Sequence, residues 1–346
     1  MSLSPARKKL LILAIAFQVI SVAVIALARE IILVTGSPVT LQTAPIDPRD
    51  LFRGDYVRLD YLFNKVPVQL LSQQVKNEGI HKGSVVYLKL KQAPGGVYHA
   101  EKLALQKPDG LYLKGHTSVD WLSSYYLKNP EKASADEYTR SQPLQVKYGI
   151  ERYYVEQGKG KAIEKRRGLG VNRNTNFQTP MLVHARLSSS GEAVISDYSW
   201  SNLGFLTKIA KSPERDAPDE QASAIMQFSI KNLSDTPLQI PLKPGNCSFD
   251  LITSGYDFDP QKQLQTGRDE CIDTQASLTR LDPQQSMDFE FNLNNPAWIF
   301  KNNKKMQPLG RLPWNYRLRI VYNGDSFDGQ QGQIISRAFH ARGNVD

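Results

Sequence analysis

Reactive groups in this chain are densest between Asp47 and Asp60. Four carboxylates, Asp47, Asp50, Asp55 and Asp60, alternate there with three guanidinium groups, Arg49, Arg53 and Arg58. Clustered carboxylates can ligate a metal or work as a general acid and base, but carboxylates interleaved with arginine form local ion pairs and cap turns. The interleaving favours the second reading, so no catalytic residue and no metal ligand is assigned. The histidines do not change this: His81, His99, His116, His184 and His340 are scattered, with no two at i, i+2 or i, i+4 spacing and no H-E-x-x-H pattern. Cys247 and Cys271 are the only cysteines, too few for a four-cysteine zinc site. Gly158-Lys159-Gly160 lacks the G-K-[ST] continuation of a phosphate-cradling loop, and no cofactor is called for.

One nucleophile needs weighing. A serine just beyond a membrane anchor, with a lysine base on a later strand, is the arrangement of the Ser-Lys signal peptidases, and an R-G-D-x-V run such as Arg53-Gly54-Asp55-Tyr56-Val57 faintly resembles theirs. Ser37 is the candidate. It is followed by Pro38 rather than methionine, and Thr35-Gly36-Ser37-Pro38-Val39 does not match that family's block. A membrane-anchored peptidase or other envelope hydrolase is therefore the alternative reading, behind a binding or scaffolding protein.

The element that must position the charged cluster is the strand after it. Asp47-Pro48 and Gly54-Asp55 are turn dipeptides, and Asp55 to Tyr61 then alternates. Val57, Leu59 and Tyr61 share a face that reads as core, while Tyr56, Arg58 and Asp60 share the wetter one. Gly54-Asp55-Tyr56, Leu59 and Tyr61 spell G-D-Y-x-x-L-x-Y. In this the chain resembles the GDYXXLXY family of bacterial membrane-anchored proteins. A second block, Tyr148 to Glu164, adds a tyrosine-containing strand, a glycine-rich turn and a short helix, so the resemblance covers residues 39–198. The family has no established activity; the resemblance implies a membrane anchor, an envelope location and a multi-spanning membrane protein as partner. Asp47, Arg49, Arg53, Gly54, Asp55, Tyr56, Arg58, Leu59 and Tyr61 are the motif and candidate binding residues.

Delivery is written in the first residues. Arg7, Lys8 and Lys9 precede Leu10 to Ala28, a run broken only by Gln18 and Ser21 and closed by Arg29-Glu30. As a helix these residues span about 28 Å, close to the hydrocarbon thickness of a bilayer. The basic flank places the amino terminus in the cytoplasm and the rest of the chain outside it, at a bacterial inner membrane with lipid as the first partner. Cleavage after Ala26-Leu27-Ala28 would instead release a soluble protein; the long run, extended by Ile31 to Val34, favours an uncleaved signal anchor.

The 346 residues suffice for two ordinary domains, and the net charge of +9 suits work beside anionic lipid. No aromatic-interleaved basic motif points to nucleic acid. The basic residues Lys161, Lys165, Arg166, Arg167 and Arg173 read as a solvated surface, with contact to lipid headgroups or an acidic polymer as the functional reading. The fold class expected is mainly β. Residues 1–9 are a cytoplasmic tail, 10–34 an anchor and stem, and 38–204 an antiparallel β-rich domain. Within it, residues 84–119 form a meander, and 67–79 are a short helix or a loop. Residues 205–221, with Pro213 and Pro218, form a linker to an Ig-like β-sandwich over 222–346. Outside the cytoplasm Cys247 and Cys271 should pair, closing a loop worth about 3.5 kcal/mol on the chain-entropy model; two buried thiols are the alternative.

Overall fold

The computed structural model describes residues 5–43, 56–66, 70–119, 144–156, 159–166, 177–253, 262–266, 271, 273–302, 305–312, 314 and 316–345. It opens with helix α1, Pro5–Thr35. Its apolar window is not buried against the rest of the chain. With no polar face, the helix is long and apolar enough to cross a bilayer. Arg29 and Glu30 do not end it: the helix continues through them to Thr35, leaving nearly two turns beyond the apolar run. Gly36 then joins it directly to the first strand. The Gly36 N–H donates to the Ile32 carbonyl at 2.9 Å, and the Arg186 guanidinium donates to the Gly36 carbonyl at 3.2 Å. A Cβ at Gly36 would lie 2.5 Å from the Ile32 oxygen and 2.9 Å from that of Leu187.

The first core is built by β1 Ser37–Gln42, β2 Tyr56–Arg58, β3 Lys65–Val66, α2 Gln73–Glu78, β4 Val85–Gln92, β5 Tyr98–Ala104, β6 Tyr112–Thr117, β7 Leu144–Lys147, β8 Arg152–Tyr154, α3 Lys159–Arg166, β9 Met181–Leu187 and β10 Ala193–Trp200. All their ladders are antiparallel: β1-β9-β10, the ribbon β2-β8, and β3-β7-β6-β4-β5. The expected meander is corrected by this order, because β6 pairs with β4 and not with β5. Burial supplies the reason. Strand β4 sinks Val86, Leu88 and Leu90, whereas β5 buries only Leu103, so β4 takes the interior position and β5 the edge. The ambiguous stretch before β4 contains α2, capped by the Ser72 hydroxyl accepting from the Val75 N–H and ended by Gly79.

The second core follows without an extended linker. Its strands are β11 Leu203–Lys211, β12 Ile225–Asn232, β13 Leu238–Leu242, β14 Phe249–Thr253, β15 Lys262–Thr266, β16 Ser277–Leu281, β17 Ser286–Asn292, β18 Trp298–Asn302, β19 Lys305–Pro308 and β20 Leu318–Tyr322. Residues 205–211, expected to open a linker, are strand instead: β11 pairs along β12, and Leu203, Phe205 and Leu206 are buried. The antiparallel β class expected here forms, as four ladders of two or three strands: β11-β12-β17, β13-β16, β14-β20 and β15-β18-β19. Phe249 is fully buried, 4.6 Å from Phe289 and 5.7 Å from both Phe291 and Tyr322 between ring centroids. Cys247 and Cys271 are disulfide-bonded.

The two cores touch at a glycine pair. The Gly332 N–H donates to the Gly95 carbonyl at 3.0 Å, and both residues have positive φ. A Cβ on Gly95 would sit 2.5 Å from the Gly332 oxygen, so only glycine allows this approach. Beside it the Gln42 amide brackets Gln333, donating to its carbonyl and accepting from its N–H.

Candidate functional site

The ribbon of β2 and β8 sets Tyr56 opposite Tyr154, Val57 opposite Tyr153 and Arg58 opposite Arg152. Opposed residues of an antiparallel pair share a face. One face of this ribbon thus carries two tyrosines and two arginines, while Val57 is fully buried beneath it. The Tyr56 and Tyr154 rings lie 6.0 Å apart, and the Arg152 guanidinium stands 5.4 Å over the Tyr56 ring.

What holds the ribbon is a hydrogen-bonded turn under β8. The Glu151 carboxylate accepts from the backbone N–H groups of Tyr148 and Gly149 and from the Asn64 amide, and its own carbonyl accepts from the Leu59 N–H at 2.9 Å. Asn64 reaches both ways, accepting from the Tyr61 N–H at 2.7 Å and donating to the Val146 carbonyl at 3.0 Å. The Tyr61 hydroxyl donates to the Ile150 carbonyl at 3.1 Å, and the Tyr61 ring stacks on Phe63 at 5.1 Å. The signature's inner face is therefore structural. Leu59 and Tyr61 lie in the core, and only Tyr56, Arg58 and Asp60 look outward.

That outward face lines an open groove of about 890 Å³. Its walls bring Arg29 from the end of α1, Lys65 from β3, Lys147 from β7 and the start of β10 to the ribbon. Five basic side chains, Arg29, Arg58, Lys65, Lys147 and Arg152, stand against two acidic ones, Asp60 and Glu151. Among the described residues Arg29, Lys147 and Arg152 form no salt bridge. Tyr154 is 73% exposed at the rim. Burial, and behind it the charge of Asp197, pushes the Tyr153 hydroxyl above its ordinary range. An open, cationic, tyrosine-edged site of this size is suited to holding an anion.

Of the residues singled out in the sequence, Tyr56 and Arg58 line the groove and Leu59 and Tyr61 support it. Asp47, Arg49, Arg53, Gly54 and Asp55 lie outside the described residues, as does the expected strand start at Asp55; the strand itself is shorter, ending at Arg58. The sequence reading missed Arg29, Lys147, Arg152 and Tyr154 as groove residues. The tyrosine-rich block over 148–156 signalled β8, but nothing local signalled its register against β2.

Among the described residues, the other candidates for chemistry stand apart from the groove. Ser37 is exposed at the start of β1 and no described residue bonds its hydroxyl. The His184 ring bridges Ser199 at 2.9 Å and Thr40 at 3.2 Å. Its second partner is a hydroxyl rather than the carboxylate that would hold an imidazolium. Among the described residues no group of three or more His, Cys, Asp or Glu could hold a metal. A smaller cavity of about 260 Å³ lies between the two cores, where His99 keeps a buried Nδ1 without a hydrogen-bond partner.

No curated protein and no solved structure matches this chain. A family model described as GDYXXLXY protein matches residues 18–197, more than half of the length, and spans the second half of α1, the signature strand and the groove. The chain belongs to the GDYXXLXY family.

Proposed function

We propose that this is a single-pass binding or scaffolding protein of a bacterial inner membrane, with its amino terminus in the cytoplasm, an uncleaved anchor, and both β modules outside. One observation carries the binding role. The signature splits into a face consumed by the core and a face that lines an open groove beside the membrane helix. The orientation rests on Arg7, Lys8 and Lys9 ahead of the apolar run. The direct junction at Gly36 supports a scaffold, because it holds the groove in a set pose over the bilayer. A multi-spanning membrane protein is the partner for that scaffold.

The test is site-specific photocrosslinking in intact cells. A crosslinker replacing Tyr154 should give a discrete adduct with a membrane component, weakened by Arg152→Glu, while one replacing the exposed Leu278 of the second module should not. Equal adducts from both positions, or none from Tyr154, would overturn the assignment. Protection of both modules from protease added outside spheroplasts would overturn the topology.

A further inference from the structure

The geometry points to a phosphate ester as what the groove holds: we infer that Arg58 and Arg152, with Arg29 and Lys147, bind the headgroup of an anionic phospholipid from the membrane in which α1 is anchored. This rests on the groove reading above and adds the ligand's chemistry and source.

The first ground is the register. Arg58 and Arg152 are directly opposed on an antiparallel pair, both exposed and on one face. Like charges in that position repel, and with five basic side chains against two acidic ones the groove around the pair stays cationic. An anion between them reverses the sign of the contact. Guanidinium forks offer paired N–H donors that match phosphate oxygens, and two facing forks can grip one phosphodiester from both sides. The Arg152 plane is already steadied by the Tyr56 ring, so less freedom is lost on binding.

The second ground is depth. Arg29 is the first charged residue after the apolar run and also lines the groove. The end of the hydrocarbon layer and the groove wall thus coincide in one residue, which places the mouth at the level of the headgroups. A lipid phosphate can enter from the side without leaving the bilayer. Tyr56 and Tyr154 at the rim have the amphipathic character that favours this layer, and Val194 and Ile195 give an apolar wall next to α1. At about 890 Å³ the groove has room for a headgroup with its glycerol, well beyond a bare phosphate.

The full-length protein in mild detergent would be titrated calorimetrically with dihexanoyl phosphatidylglycerol, dihexanoyl phosphatidylcholine, glycerol 3-phosphate and inorganic phosphate. Phosphatidylglycerol should bind at least about tenfold more tightly than the other three. Arg58→Gln and Arg152→Gln should each weaken it about fivefold, while Lys211→Gln, an exposed cation on β11, should leave it unchanged. Amide exchange in the core strand β9 should be the same in all variants, separating lost binding from lost folding. Glycerol 3-phosphate binding as tightly as the lipid would overturn the lipid source. Equal loss with Lys211→Gln, or none with the arginine variants, would overturn the site. A Tyr154 adduct with a membrane protein that survives unchanged lipid affinity in Arg152→Gln would leave the groove as a contact surface and remove the lipid from it. Absence of both adduct and lipid binding would remove the groove reading itself.

Discussion

Leu59→Ala should unfold the first module's core far more readily than any change on the opposite face of the same motif. The Leu59 side chain has no exposed surface, and its neighbours include Val57 and Tyr61, also buried. Removing three buried carbons costs about 2 kcal/mol in transfer alone, and the cavity left behind raises the total to about 2–5 kcal/mol. Tyr61→Phe should come second. It keeps the stack on Phe63 but strips the donor from the buried Ile150 carbonyl, a loss of about 1–3 kcal/mol. Arg58→Gln, on the exposed face, should stay within about 0.5 kcal/mol. Hydrogen exchange of the full-length protein in detergent reads this order locally, through a peptide covering Met181–Leu187 at the centre of the β1-β9-β10 sheet. With tenfold per 1.4 kcal/mol, exchange there should quicken by about 30-fold or more for Leu59→Ala and by less than about threefold for Arg58→Gln. Strand β12, in the second core, is the internal reference. If Arg58→Gln accelerates the β9 peptide as much as Leu59→Ala does, the division of the signature into a core face and an outer face is wrong.

The disulfide gives a chemical test: in unfolded, unreduced protein Cys247 and Cys271 should resist alkylation, and reduction should cost the second module about 3.5 kcal/mol, read as a lower denaturation midpoint; free thiols before reduction would refute the bond. His99 gives a pH test. Burial first, and the nearby Lys91 second, hold its proton affinity below the ordinary value of 6.5, with Glu101 opposing. The unfolded chain therefore binds that proton more readily than the folded one, so stability falls as pH drops below 6.5 and recovers as pH rises. His99→Gln should flatten the denaturation midpoint between about pH 5 and pH 7, and an unchanged slope would show that another group sets it.

Some of this protein is decided by local sequence alone. A run of nineteen residues from Leu10 to Ala28, polar only at Gln18 and Ser21, has no polar face to turn toward a protein core, and the helix it forms is exposed. Alternation from Tyr56 to Tyr61 marks Val57, Leu59 and Tyr61 for the inside, and all three are buried, although the strand ends at Arg58 and the last two are held beyond it by bonds to the Glu151 and Ile150 carbonyls. What alternation cannot carry is which strand lies opposite. The facing of Arg58 on Arg152 and Tyr56 on Tyr154 joins residues about a hundred positions apart, and it depends on the turn that Glu151 and Asn64 hold together from different parts of the chain. The same holds for β4 taking the sheet interior from β5, and for β11. There Leu206 and Ala210 interrupt the alternation of Phe205, Thr207 and Ile209, and only pairing with β12 makes the segment a strand. Placement of Arg29 in the groove is the furthest removed from sequence. It follows from Gly36, whose missing side chain lets the helix run into β1 against the Leu187 carbonyl, so that the apolar helix and the outer face of the signature line one groove.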